Sequence, residues 1–420
     1  MPTARSRAIE FYLSDALRDA KRGLHRARRA LRGGRRELIY VHQVDDPYGL
    51  LLLSLLPTLV EATGLSLRIL VIPTPTADFA PDLPRLRPWA CADARRLADT
   101  HGLAFPAGAQ PPAPAVIERA LAVAVRSAAL PWRARIELLR ALGDAVFGAA
   151  EWPSIAGTGA ADVVATLATN VRRIHRLGHY QGGMLYYEGE WYWGLDRLPL
   201  LEARLRGEGV TLAPLLDADA TPCVEPSAAA ELELFFSFRS PYSYLAFERT
   251  RRLAARRGVT LRTRIVLPMV MRGLSVPAMK RLYIARDCRR IAASLGIPYG
   301  RIADPLGAGV ERCIAVAMLA RREGRLEDWI HSATRGIWSE GMELVDDRGL
   351  RALAARAGLD GDAALEAARG PQDAWRAEVE DNRRALLDMG LWGVPSFRLG
   401  ELVLWGQDRV DVLEAALRER

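Results

Sequence analysis

The chain repeats itself, and a repeated sequence must fold its unit more than once. A shift of 194 positions aligns Asp46-Pro47-Tyr48 with Ser240-Pro241-Tyr242, Gly64 with Gly258, and Leu67-Arg68 with Leu261-Arg262. The same shift aligns Asp93, Arg95, Arg96, Ala98 and Gly102 with Asp287, Arg289, Arg290, Ala292 and Gly296. Towards the end of each copy a shift of 212 takes over. It matches Asn170 with Asn382, Gly178 with Gly390, Trp193-Gly194 with Trp405-Gly406, and Asp196-Arg197 with Asp408-Arg409. The second copy is therefore the longer one in its middle. The expected division is a basic helical arm at 1–36, a first copy at 37–206, a linker at 207–230 rich in Ala, Pro, Asp and Gly, and a second copy at 231–420.

Each copy opens as a βαβ unit. In the first, a strand is expected over Glu37 to Val41, a helix from Pro47 and a second strand over Leu67 to Ile72. The second copy has helical periodicity over Ala315 to Arg322, Leu326 to Trp338 and Leu350 to Ala357. Two short strands follow, Ser396 to Leu399 and Leu402 to Trp405, joined by Gly400-Glu401, with a last helix from Asp408. Strand, helix, strand, inserted helices, hairpin, helix is the order of an α/β thioredoxin-like domain with a helical insertion, here expected twice. The arm, with Ile9, Leu13, Leu17, Leu24 and Leu31 between Arg-rich faces, reads as one helix ended by Gly33-Gly34.

The net charge of +8 suggests a nucleic acid or an anionic surface until its location is considered. Residues 1–36 hold eleven bases against three acids, and the other residues hold 47 of each. The folded body is neutral, so the charge speaks of docking by the arm and argues against nucleic acid as a partner. Cys91, Cys223, Cys288 and Cys313 form no CxxC and no paired Cys/His spacing, so neither a disulfide framework nor a metal site is expected. A reducing cytoplasm fits that usage. The N-terminal stretch has no apolar core of a secretory signal, and no apolar run is long enough to span a membrane. Lys21 and Lys280 are the two lysines among 58 Lys and Arg, a bias that makes Lys280 conspicuous.

The chemistry is expected where the second copy's first strand meets its first helix. Free N–H groups and the helix dipole stabilise a thiolate at such a junction. Where a disulfide oxidoreductase carries two cysteines, this chain has Ser240-Pro241-Tyr242-Ser243. A hydroxyl cannot exchange disulfides, but it can donate a charge-assisted hydrogen bond, worth about 1.5–3 kcal/mol, to a thiolate brought in by a cofactor. Gly393-Val394-Pro395-Ser396 places a proline at the start of the strand facing that junction, where a cis peptide would offer the backbone of Val394 to a peptide-like ligand. Trp405-Gly406-Gln407-Asp408-Arg409 then opens the last helix.

Together these three motifs resemble the 2-hydroxychromene-2-carboxylate isomerases and kappa-class glutathione transferases, the glutathione-using branch of the DsbA-like superfamily. The resemblance covers Glu231 to Arg420 and implies glutathione as cofactor, with Ser240 activating its thiol. It implies Val394 and Pro395 at the cysteinyl backbone, Gln407 and Asp408 at the γ-glutamyl end, and Lys280 within the site. Tyr242 and Trp392 are candidates for the ligand pocket and Asn382 for a substrate contact; Asn382 also repeats as Asn170, which favours a structural part. The chain departs from the family where many relatives have Asp and it has Ser237, and where they have Asn in the loop 271–277. In the first copy Asp46 replaces Ser240, Leu86 replaces Lys280, Gly183 replaces Pro395 and Leu195 replaces Gln407. A carboxylate would repel a thiolate, so the first copy is expected to bind no glutathione and to serve as the other half of an intrachain pseudo-dimer, with a homodimer of chains also open.

The expected function is a glutathione-dependent isomerase of an unsaturated or aromatic carboxylate. Thiol addition and elimination would carry the reaction, with Lys280 or a neighbouring Arg holding the small molecule's carboxylate. A kappa-like transferase and a non-catalytic DsbA-like binding or assembly protein are the alternatives.

Overall fold

The computed structural model describes residues 3–148, 150–154 and 162–418; the first two positions of the arm and the last two of the second copy lie outside these. The chain divides into two compact units. One, the N-unit, comprises Asp19–Cys223 with Pro277–Tyr283; the other, the C-unit, comprises Met1–Arg18, Val224–Val276 and Ile284–Arg420.

The arm is two helices, α1 (Ala4–Tyr12) and α2 (Asp15–Leu31), where the apolar periodicity suggested one. Ser14 breaks it: its hydroxyl donates to the Phe11 carbonyl at 2.7 Å and accepts from the Leu17 N–H at 3.2 Å, ending one helix and capping the next. In the C-unit, Leu13 is buried in the core and Glu10 makes a bidentate pair with Arg301, both contacts 2.8 Å. In the N-unit, Arg22 grips Glu190 at 2.6 and 3.0 Å and Arg29 pairs with Glu188. The basic face of the arm is thus committed in part to acids of the chain itself.

The N-unit continues through β1 (Glu37–Gln43), α3 (Pro47–Thr63), β2 (Ser66–Ile72), α4 (Leu83–His101), α5 (Pro114–Arg126), α6 (Trp132–Val146), α7 (Val163–Arg176), β3 (Met184–Tyr187), β4 (Glu190–Trp193) and α8 (Leu198–Gly207). Its sheet runs β2-β1-β3-β4, with β1 parallel to β2 and the other pairs antiparallel. The apolar helix α3 buries Leu51, Leu52, Leu53, Leu56 and Leu59 completely, at about 1.5–3 kcal/mol for each side chain removed from water.

The C-unit holds β5 (Glu231–Phe236), α9 (Pro241–Arg257) and β6 (Thr260–Ile265), followed by most of α10 (Ala278–Ser294), then α11 (Ala308–Arg322), α12 (Leu326–Arg335), α13 (Asp347–Arg356), α14 (Gly361–Arg369) and α15 (Asp373–Asp388). The hairpin β7 (Ser396–Leu399) and β8 (Leu402–Trp405) and the last helix α16 (Val410–Ala416) close it. The sheet order β6-β5-β7-β8 repeats that of the N-unit, with the same parallel and antiparallel senses. Leu232, Leu234 and Phe236 alternate along β5 into the core, while Glu233 on the opposite face sits in register between Arg262 and Arg398. The strands of the hairpin lie where the sequence pattern put them. The last α-helix starts later than expected, at Val410, after a 3-10 turn over Gln407–Arg409, and Asp408 makes no N-cap of it.

Two details recur between the units. Tyr48 donates to Asp93 at 3.0 Å beside an Arg96–Asp93 pair, and Tyr242 donates to Asp287 at 2.8 Å beside an Arg290–Asp287 pair. The Asn170 amide donates to the Val71 carbonyl at 2.9 Å, and the Asn382 amide to the Ile265 carbonyl at 3.0 Å.

Candidate functional site

Ser240 is the N-cap of α9, with Pro241 in the first helical turn, where its missing N–H and fixed φ suit the helix start. The Ser240 Oγ accepts from the Ser243 N–H at 3.1 Å. Its own proton points to the Val394 carbonyl at 3.4 Å, a long contact for an O–H donor. That contact brings together two of the expected site elements, Ser240 and the cis Val394–Pro395 peptide. The hydroxyl is therefore anchored as an acceptor while its donor capacity is weakly used. A thiolate at the helix N-terminus can accept a hydrogen bond from that hydroxyl without disturbing the cap.

The segment before Ser240 is clamped to the helical insertion. Arg239 makes a bidentate pair with Asp304 at 2.7 and 2.9 Å, and the Trp338 indole N–H donates to the Phe238 carbonyl at 3.2 Å. Arg239 holds the Asp304 carboxyl below its ordinary value against the opposing effect of burial. Neither partner was a sequence candidate, because the pairing spans 65 residues.

The other candidates are placed as follows. Tyr242 is tied to Asp287. Trp392 is buried and meets Trp405 edge to face at 5.1 Å. Gly393 lies so close to Trp405 that a Cβ there would come within 2.2 Å of the indole, which explains the glycine in Gly-Val-Pro. Gln407 is buried; Arg249 donates to its main-chain carbonyl at 2.8 Å, and its amide donates to Asp408. Asn382 is buried, donating to the Ile265 carbonyl and accepting from Arg264 at 3.2 Å, which fixes α15 to β6.

Lys280 is described within the N-unit, in its segment Pro277–Tyr283, and its ammonium donates to the Phe79 carbonyl at 2.7 Å. Tyr283 of the same segment meets the His179 ring at 4.8 Å. Burial pushes the Lys280 pKa down to about 8.

The first copy shows what a carboxylate does at Ser240's position. Asp46 caps α3 through the Tyr48 N–H at 3.1 Å. Burial first, and the neighbouring Asp45 second, raise its pKa to about 7. Gly183, at the position of Pro395, has φ +63°, and a Cβ there would fall 2.2 Å from the Asp46 Oδ2. Two surface hollows, of about 450 and 410 Å³, share no lining residue with either junction.

Comparison with known proteins settles the class of the C-terminal half, since residues 231–418 match the model of the DSBA-like thioredoxin domain. These residues form a DsbA-like domain. Among curated relatives, the 2-hydroxychromene-2-carboxylate isomerase of Sphingobium xenophagum is 29% identical over 194 residues, 44% of this chain and 97% of that protein. The enzyme of the same name from Pseudomonas putida is 26% identical over 195 residues, covering 44% and 93%. Among solved structures, a 2-hydroxychromene-2-carboxylate isomerase is 25% identical, with 45% of this chain and 95% of that one covered and a TM-score of 0.39. Within the DsbA-like domain, Ser240 and Ser243 stand where a disulfide oxidoreductase carries its two cysteines.

Proposed function

We propose that the chain is a glutathione-dependent isomerase of an unsaturated or aromatic carboxylate, working at the Ser240 junction of the DsbA-like domain. The observation that carries this reading is the Ser240 hydroxyl, fixed as acceptor by the Ser243 N–H and only loosely engaged as donor at 3.4 Å. The isomerase names of the relatives support the reaction class. When bound, glutathione supplies a thiol that adds reversibly to an electron-poor double bond and is returned unchanged. The protein's own part is to lower the cost of the thiolate. Ser240 donates to it, α9 presents the positive end of its dipole, and the Arg239–Asp304 clamp holds the loop carrying both. Val394, beside cis-Pro395, presents backbone groups to the peptide-like ligand, with Gln407 and Asp408 expected at its γ-glutamyl end.

In this reading the chain is a tandem duplication whose first copy, with Asp46 at the junction, binds no glutathione. The common strand order and the paired Tyr-Asp-Arg groups support it. The test is glutathione titration by calorimetry of wild type and Ser240→Ala. Loss of a charge-assisted hydrogen bond worth about 1.5–3 kcal/mol predicts roughly 10- to 150-fold lower turnover, with a raised pKa of the bound thiol. Full glutathione-dependent turnover in Ser240→Ala would overturn the assignment. Product analysis addresses the transferase alternative, since isomerisation leaves total glutathione unchanged and conjugation consumes it.

A further inference from the structure

Arg272 is a partly buried cation with an unusual set of neighbours. It ends the 3-10 turn Met269–Arg272 that follows β6, where Gly273 at φ +77° turns the chain away. One guanidinium nitrogen donates to the Trp392 carbonyl at 3.0 Å. That carbonyl lies two residues before Val394, whose own carbonyl faces Ser240, so Arg272 backs onto the same cis-proline loop.

No carboxylate within the described residues pairs with Arg272, and its Nε is buried without a hydrogen-bond partner. Other arginines of the C-unit are matched by acids: Arg239 with Asp304, Arg264 with Glu233, Arg290 with Asp287. The charged neighbour that Arg272 does feel is another cation, Arg383, and Glu380 already binds Arg383 at 2.6 and 2.7 Å. Burial, and secondarily Arg383, push the Arg272 pKa down to about 10. A carbonyl satisfies one N–H of a guanidinium and none of its charge. Removing the rest from water without a counter-ion is unfavourable, and an arriving anion offsets it.

We propose that Arg272 is the carboxylate anchor of the Ser240 site. Its planar fork suits a carboxylate, which can accept two parallel N–H bonds, better than it suits a point anion. The proposal rests on the function proposed above and replaces Lys280, whose ammonium is engaged by Phe79, in the role of holding the ligand's carboxylate. The carboxylate belongs either to glutathione or to the acceptor.

The experiment compares wild type, Arg272→Met and Arg272→Lys in the full chain. The readouts are calorimetric titration with glutathione and with benzoate, and steady-state kinetics on 2-hydroxychromene-2-carboxylate with glutathione. If the acceptor supplies the carboxylate, Arg272→Met raises its KM at least tenfold, leaves kcat within about threefold and leaves glutathione affinity unchanged. If glutathione supplies it, glutathione affinity falls at least tenfold and the acceptor KM is unchanged. In both cases Arg272→Lys recovers part of the loss, which a purely structural role does not predict. Wild-type turnover that Arg272→Met leaves intact overturns the anchor while the isomerase reading stands. Benzoate binding that Arg272→Met abolishes, in a wild type that neither binds glutathione nor turns over, supports the anchor while the isomerase reading falls. A wild type that binds no carboxylate of any kind overturns the anchor.

Discussion

Asp46 gives a quantitative test of why the two junctions differ. Its pKa in the folded chain is about 7, against an ordinary value of 3.8. The folded state therefore retains a proton that the unfolded chain has released, so stability is present at low pH and is lost as pH rises from about 4 to about 7. The gap between the two values sets a ceiling of about 4 kcal/mol on that loss, at 1.36 kcal/mol for each tenfold. The Asp46 side chain keeps some contact with solvent, and screening reduces the expected effect to about 2 kcal/mol. Asp46→Asn removes the titration and keeps a side-chain oxygen for the Tyr48 N–H. In urea unfolding of the full chain followed by tryptophan fluorescence, the variant should exceed wild type by about 2 kcal/mol at about pH 8. At about pH 4.5 the advantage should shrink to roughly a quarter of that or less. A difference between variant and wild type that does not change with pH would refute the reasoning, because it would mean that Asp46 ionises as an ordinary surface carboxylate.

Two further substitutions probe the frame around the junctions. Asp304→Asn leaves Arg239 without its charge partner; the expected loss is about 1–3 kcal/mol of unfolding free energy together with weaker glutathione binding, and an unchanged urea midpoint would rule out the clamp. Gly183→Ala puts a Cβ 2.2 Å from Asp46 at a φ of +63°; thermal unfolding should register a loss of about 1–3 kcal/mol, and an unshifted transition would show that this loop yields freely.

The elements that were legible in the sequence are those fixed by local chemistry. The hairpin Ser396–Leu399 with Leu402–Trp405 follows from two apolar runs flanking Gly400, which takes φ +59° in the turn. Helix α9 follows from a capping serine ahead of a proline. What was not legible depends on partners far along the chain or on competition between local signals. The leucine spacing of the arm hides the break at Leu13-Ser14, where burial of one side chain and a serine cap outweigh continued periodicity. Asp408 has the residue type of an N-cap, yet the 3-10 turn over Gln407–Arg409 intervenes and its carboxylate accepts from Gln407 instead. Of the candidate site, Ser240 and Val394 come from motifs and lie together. Lys280 stands out by its rarity and by the resemblance, while its bond to the Phe79 carbonyl, 201 residues away along the chain, is not legible from either. Arg272 is the converse case, one arginine among many in the sequence, set apart by its lack of an acidic partner among the described residues.

The residue before each helix cap carries the contrast between the copies to its physical root. In the second copy it is Arg239, paired with Asp304. In the first it is Asp45, held by Arg87 at 2.7 Å and Thr74 at 2.8 Å. Both loops are clamped by an ion pair, so the clamp alone does not distinguish the two junctions. The order of the charges does. With Arg239 and Ser240, a cation and a neutral donor precede the positive end of α9, and a thiolate there meets no like charge from the cap or the residue before it. With Asp45 and Asp46, two acids precede α3, and their mutual repulsion already helps to raise the Asp46 pKa. A third negative charge would have to displace the proton equilibrium further still. Replacing Asp46 by Ser would therefore remove one of two obstacles and leave Asp45, so Asp46→Ser alone is expected to create no glutathione binding at this junction, and measurable binding by calorimetry would refute the electrostatic account.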